Sequence, residues 1–94
     1  MAIETFPFDP AEYLGDPEAQ AELIADALAT GDAAYVAHAL GIVARARGMT
    51  QLARDTGMSR ESLYKALSPQ GNPELATVLR VVQALGFKLT AAAA

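Results

Sequence analysis

The stretch MTQLARDTGMSRESLYKAL, residues 49–67, constrains the fold of this chain more than any other. Its spacing predicts two short helices joined by a tight turn. Thr50 can cap the first helix, whose Leu52 and Ala53 would face inward. Gly57 closes it, at a position where a left-handed backbone costs glycine little. Met58 plugs the turn, and Ser59 is a strong N-cap for the second helix. Leu63 and Leu67 stand at i and i+4, so they share a buried face. Arg60, Glu61, Tyr64 and Lys65 fall on the opposite one. A small residue, a glycine four later and an apolar residue six after that is the steric formula of a helix-turn-helix: Ala53 permits a close crossing, Gly57 makes the turn and Leu63 anchors the second helix.

The charges are divided unevenly about this stretch. Residues 1–44 contain eight acids (Glu4, Asp9, Glu12, Asp16, Glu18, Glu22, Asp26, Asp32) and no lysine or arginine. Residues 45–94 contain seven bases against three acids, so the net charge of −4 conceals an acidic half and a basic half. A local field governs association with a polyanion, so the overall acidity does not exclude nucleic acid as a partner. Acids in the first turns of helices also complement helix dipoles, which accounts for several of them but not for the missing bases. No cysteine is present, so disulfides and thiolate metal sites are ruled out. The apolar runs are too short to span a bilayer and the N-terminus lacks the form of a signal peptide, which points to the cytoplasm.

At 94 residues the chain suits a single domain, 1–94, with a modest core. Residues 1–31 read as an N-terminal arm and acidic helices. Phe6-Pro7-Phe8 belongs to the arm and needs a surface to cover it. Asp9, Pro10 and Glu12 open a short helix, with Tyr13 and Leu14 on its apolar side and Gly15 at its end. Asp16 and Pro17 open a longer one to about Ala29, with Leu23, Ile24, Ala27 and Leu28 as its buried stripe. Residues 32–86 form the helix-turn-helix core. Asp32 caps a helix that runs to about Arg47, with Tyr35 or Val36, Ala39, Leu40 and Val43 inward. Ser68 to Gly71 is a loop, and Asn72-Pro73 restarts a helix with Leu75, Val78, Leu79, Val82 and Leu85 on one face. In residues 87–94, Phe87, Lys88 and Leu89 alternate in a manner compatible with a short C-terminal strand, and an alanine tail follows. The expected architecture is all-α, of five to six helices. Val81, Phe87 and Leu89 are surplus to one small core, which makes the C-terminal end the expected interface of a homodimer.

If the second helix enters a major groove, Ser59, Arg60, Glu61 and Ser62 face base edges, with Tyr64 and Lys65 one turn on. Arg60 suits a bidentate contact to guanine and Glu61 can accept from cytosine. Thr50 and Gln51, at the start of the preceding helix, can offer backbone N–H groups to a phosphate. The alternative for Arg60 and Glu61 is a solvated face with weak local ion pairs. Catalytic chemistry finds little support. His38, the single histidine, lies within a helix, where a packed or exposed histidine is far commoner than a catalytic one, and no His/Asp/Glu group has metal-ligand spacing. No glycine loop has phosphate-binding form, and Ser59 and Ser62 have no base beside them. The chain is therefore expected to be neither an enzyme nor a holder of a cofactor or metal.

Three blocks together resemble a known family. They are FDPAEYL at residues 8–14, MTQLARDTGMSRESLYKALSPQGNPEL at 49–75 and VLRVVQALGFKL at 78–89. They are similar to the small HigA-like antitoxins of bacterial type II addiction modules, proteins with a lambda-repressor-like helix-turn-helix domain. The resemblance implies a homodimeric, DNA-binding autorepressor that reads an operator in double-stranded DNA and neutralises a RelE/HigB-like ribonuclease toxin. Such a toxin must present a basic surface to RNA, so an acidic inhibitor surface is expected to compete for it. That places toxin contacts at Phe6, Phe8, Glu12, Tyr13, Glu18 and Glu22, while the competing reading is that Phe6 and Phe8 pack onto their own domain as a lid over its core. Two other readings of the residues stay open: a stand-alone transcriptional regulator without a toxin, and a protein-interaction module whose DNA-binding motif is vestigial.

Overall fold

Five α-helices follow one another in the computed structural model, which describes residues 15–94: α1 Pro17–Thr30, α2 Ala33–Arg47, α3 Met49–Thr56, α4 Arg60–Ala66 and α5 Leu75–Ala84. Most of their boundaries have local causes. Asp16 is extended and Pro17 opens α1, while Gly31 ends it in the left-handed region at φ 70°. The Asp32 carboxylate accepts from the backbone N–H groups of Ala34 and Tyr35, so two otherwise unpaired donors of α2 are satisfied. At the other end of α2, Gly48 serves both as its C-cap and as the N-cap of α3. Thr50 is therefore not the cap that its hydroxyl suggested. The chain turns one helix into the next at a glycine with φ 111°, and Thr50 falls inside the first turn of α3.

The link from α3 to α4 is held by its own polar groups. The Gly57 and Met58 N–H groups both donate to the Ala53 carbonyl. Thr56 is buried; its hydroxyl donates to the Leu52 carbonyl at 2.8 Å and accepts from the Met58 N–H at 3.3 Å. Ser59 then caps α4, accepting from the Ser62 N–H at 3.0 Å.

α5 begins later than its sequence suggested. Asn72 adopts a left-handed backbone at φ 45°, which is not the extended conformation of an N-cap; residues 71–74 have no regular structure, and Glu74 occupies the N-cap instead. The inward face of α5 is correspondingly Val78, Val81, Val82 and Leu85, at i, i+3, i+4 and i+7. Leu75 and Leu79 point outward instead, at 70% and 41% exposure. No strand occurs among the described residues, and the expected one at residues 87–89 is absent. A lone extended segment has no ladder to join. The Phe87 N–H donates instead to the Val82 carbonyl at the end of α5.

α2 is the centre of the molecule. Residues 39–44 are all buried, so the middle of this helix is covered around its whole circumference rather than along one stripe. Leu40, Val43 and Ala44 meet Ile24 of α1, Met49 and Leu52 of α3, Leu63 of α4 and Val81, Val82 and Leu85 at the other end of the chain. α1 packs on α2, α2 on α3, and α3 on both α4 and α5. In α1 only Gln20, Ile24 and Ala27 are buried; Leu28, expected in the core, is 41% exposed. Between Tyr35 and Val36, it is Val36 that turns toward the core. No helix among the described residues is long and apolar enough to cross a membrane.

Candidate nucleic-acid interface

The outer face of α4 is exposed because its inner face is fully committed. Leu63 has no accessible surface and Leu67 almost none, so the residues set about half a turn away must point to solvent. Arg60, Glu61, Tyr64 and Lys65 are all exposed. The Arg60 guanidinium carbon lies 5.9 Å from the centroid of the Tyr64 ring, one helical turn along. That cation–π contact aligns a planar donor fork with an aromatic ring on the solvent side of the helix.

Ser59 and Ser62 are occupied locally. The Ser59 hydroxyl donates to the Ser62 hydroxyl oxygen at 2.9 Å while accepting from the Ser62 backbone, so both serines serve the start of α4. Thr50 and Gln51 are exposed on the first turn of α3. The Gln51 side-chain amide donates to the Asp55 carboxylate at 2.8 Å, which turns it along its own helix. All eight residues thus lie on the exposed surfaces of α3, the turn and α4, and none contributes to the core. Arg54, in the last turn of α3, adds a further exposed base.

The acidic residues expected to meet a protein partner fall on a different helix. Glu18 and Glu22 are exposed one turn apart on α1, and Asp26 continues the row. Phe6, Phe8, Glu12 and Tyr13 lie outside the described residues, as does the rest of the N-terminal arm. At the C-terminal end, Val81 is fully buried in the core, so it cannot belong to an intermolecular surface. The way α5 packs on the core turns Val81 inward and leaves Leu75 and Leu79 outside. Phe87 and Leu89 are half-buried and rest against the core.

Arg47 has a role that its position at the end of α2 did not announce. Its Nε donates to the side-chain oxygen of buried Gln20 on α1 at 2.9 Å, and its guanidinium stands 5.5 Å from the Phe87 ring centroid. One side chain therefore ties α1 to the segment after α5. Sequence pattern carries no signal for a contact spanning 27 residues in one direction and 40 in the other.

The arrangement can present positive charge, an aromatic ring and short polar groups on one short, rigidly anchored helix. A model of probable addiction-module antidote proteins matches residues 4–93, nearly the whole chain. An uncharacterised protein of Haemophilus influenzae is 47% identical over 81 residues, covering 86% of this chain and 84% of its own length. No solved structure gives a significant match. By the extent of the family match, this chain belongs to the family of probable addiction-module antidote proteins.

Proposed function

We propose that this chain is the antitoxin of a type II toxin–antitoxin module, that α3 and α4 form a lambda-repressor-like helix-turn-helix, and that the protein represses its own promoter while neutralising a RelE/HigB-like ribonuclease toxin. Membership of an antidote family supports a toxin partner. The observation that carries the DNA-binding part is the division of α4, with Leu63 sealed in the core and Arg60, Tyr64 and Lys65 held outside. A seven-residue helix is too short to stand alone, so its exposed face is rigid only because the core fixes it. Neither role requires catalysis, and the protein acts by binding alone.

Arg60 reads base edges in this proposal and Lys65 contacts phosphate, so their removal has different consequences. Arg60→Ala is expected to cost roughly 1–3 kcal/mol on the operator and to relax its sequence preference. Lys65→Ala should weaken operator and random DNA alike and reduce the salt slope by about one. Fluorescence anisotropy with the promoter and a scrambled duplex, across a salt series, measures both. A double variant that binds the promoter as tightly as the parent would remove α4 as the reading helix.

One such unit covers a half-site, and repressors of this geometry pair two of them about a twofold axis. With Val81 in the core, the exposed apolar residues of α5 available for pairing are Leu75 and Leu79, one turn apart, and Leu79 borders half-buried Phe87 and Leu89. The double substitution Leu75→Asp with Leu79→Asp should convert a dimer to a monomer in light scattering and weaken operator binding while α-helical content stays constant. An unchanged mass would exclude the α5 face.

A further inference from the structure

An apolar groove of about 690 Å³ runs between α1 and residues 86–92, away from α4. Ala21, Ala25 and Leu28 line one wall and Phe87 and Leu89 the other, with Ile24 between them. Leu28 leaves 41% of its surface in water although it stands among apolar neighbours. We propose that this groove is the toxin-docking surface, and that it takes an amphipathic helix of the toxin whose apolar stripe is flanked by lysine or arginine. The proposal rests on the antitoxin reading above.

Dimensions and charge select this occupant. The α1 wall from Ala21 to Ala29 is about 12 Å long at 1.5 Å per residue, which matches the two turns over which a docked helix places its i, i+4 and i+7 anchors. On the helical wheel Glu18 and Glu22 fall beside Ala25 and Ala29, along the outer edge of that wall, with Asp26 next to them. Residues 15–44 carry five acids and no lysine or arginine, against Lys88 on the other wall. The groove is therefore apolar along its middle and acidic along α1. A second copy paired symmetrically here would bring one acidic α1 against another. The chain's own residues 1–14 bring apolar Phe6 and Phe8 but also three further acids and no base, so along the acidic edge they are a poorer electrostatic match than a basic partner. A basic, RNA-cleaving partner is the complement.

The test uses the full-length chain and, as probe, the product of a toxin-sized reading frame sought immediately beside its gene. The parent should bind that protein with an affinity that falls steeply with salt. Leu28→Lys should weaken binding ten- to thirtyfold, and Glu18→Gln with Glu22→Gln should flatten the salt dependence. Promoter binding and the thermal midpoint should be unchanged in both variants. If the parent binds the neighbour and the variants bind equally well, the groove is not the docking surface, although the antitoxin reading stands. Should the parent not bind the neighbour at all, both fail. A large fall in thermal midpoint with toxin binding intact would assign the groove to this chain's own N-terminal residues. A fall from dimer to monomer with toxin binding intact would assign it to a second copy. Either result overturns the proposal.

Discussion

Leu63→Ala is expected to remove about 2–5 kcal/mol of folding stability, the range for truncating a fully buried leucine. The side chain has no exposure and packs in the cluster that joins α2, α3 and α5, so the cavity has no route to collapse without moving a helix. Domains of this kind hold only about 5–15 kcal/mol in total, so the loss takes a large part of the reserve. The effect should extend beyond stability. α4 has seven residues and depends on its anchor, so in the proposed DNA-binding role the variant should bind the promoter more weakly even under conditions where it remains folded. Urea unfolding followed by circular dichroism, with operator binding measured at low temperature, separates the two losses. A stability change below about 0.5 kcal/mol, the level of an ordinary surface substitution, would mean that Leu63 is not the anchor of α4.

Gly41→Ala is the second substitution with a large expected effect, and its sign is the informative part. Glycine within a helix costs about 0.5–1 kcal/mol relative to alanine, so propensity alone says that the change should stabilise α2. The structure says otherwise. A Cβ at position 41 would stand 2.6 Å from the backbone carbonyl oxygen of Leu67 and 3.4 Å from Arg45 Nη1. Arg45 can swing aside, but the Leu67 carbonyl belongs to the backbone at the end of α4 and cannot yield without shifting that helix. Overpacking of this kind typically costs 1–3 kcal/mol, which outweighs the propensity gain. A net destabilisation of about 1–2 kcal/mol is expected, and Gly41→Val should be worse because its branched side chain adds bulk at the same contact. Thermal denaturation of the two variants beside the parent decides the matter. An alanine variant more stable than the parent would show that α2 and the end of α4 do not approach this closely.

Both substitutions turn on residues whose importance was differently visible in advance. Leu63 could be identified from its spacing to Gly57 and Ala53. Gly41 could not, because nothing near it in the chain requires glycine; the requirement comes from Leu67, a distant carbonyl. The exposed apolar residues show the same division. Leu28, Leu75 and Leu79 all fit the helical period of a buried stripe, yet each faces water to a substantial degree. Period establishes which residues share a face, whereas the angle at which a helix sits against its neighbours decides which edge of that face is covered.

Local chemistry in the sequence determined where most helices begin and end. The Asp32 carboxylate, the Ser59 hydroxyl and the glycines at 31 and 57 act within a few residues of themselves, so their roles follow from identity and spacing. The same holds for the exposure of Arg60, Tyr64 and Lys65, because burial of Leu63 and Leu67 dictates the opposite face of so short a helix. Tertiary structure alone decided the rest. It moved Val81 from a surface into the core, placed Leu75 and Leu79 outside and covered the middle of α2, residues 39–44, on every side. It also joined Gln20, Arg47 and Phe87, and it opened the groove beside α1. The physical reason is range. Caps and turns are satisfied by hydrogen bonds closed within one turn of chain, while burial depends on the packing of segments tens of residues apart, whose relative rotation no local pattern specifies.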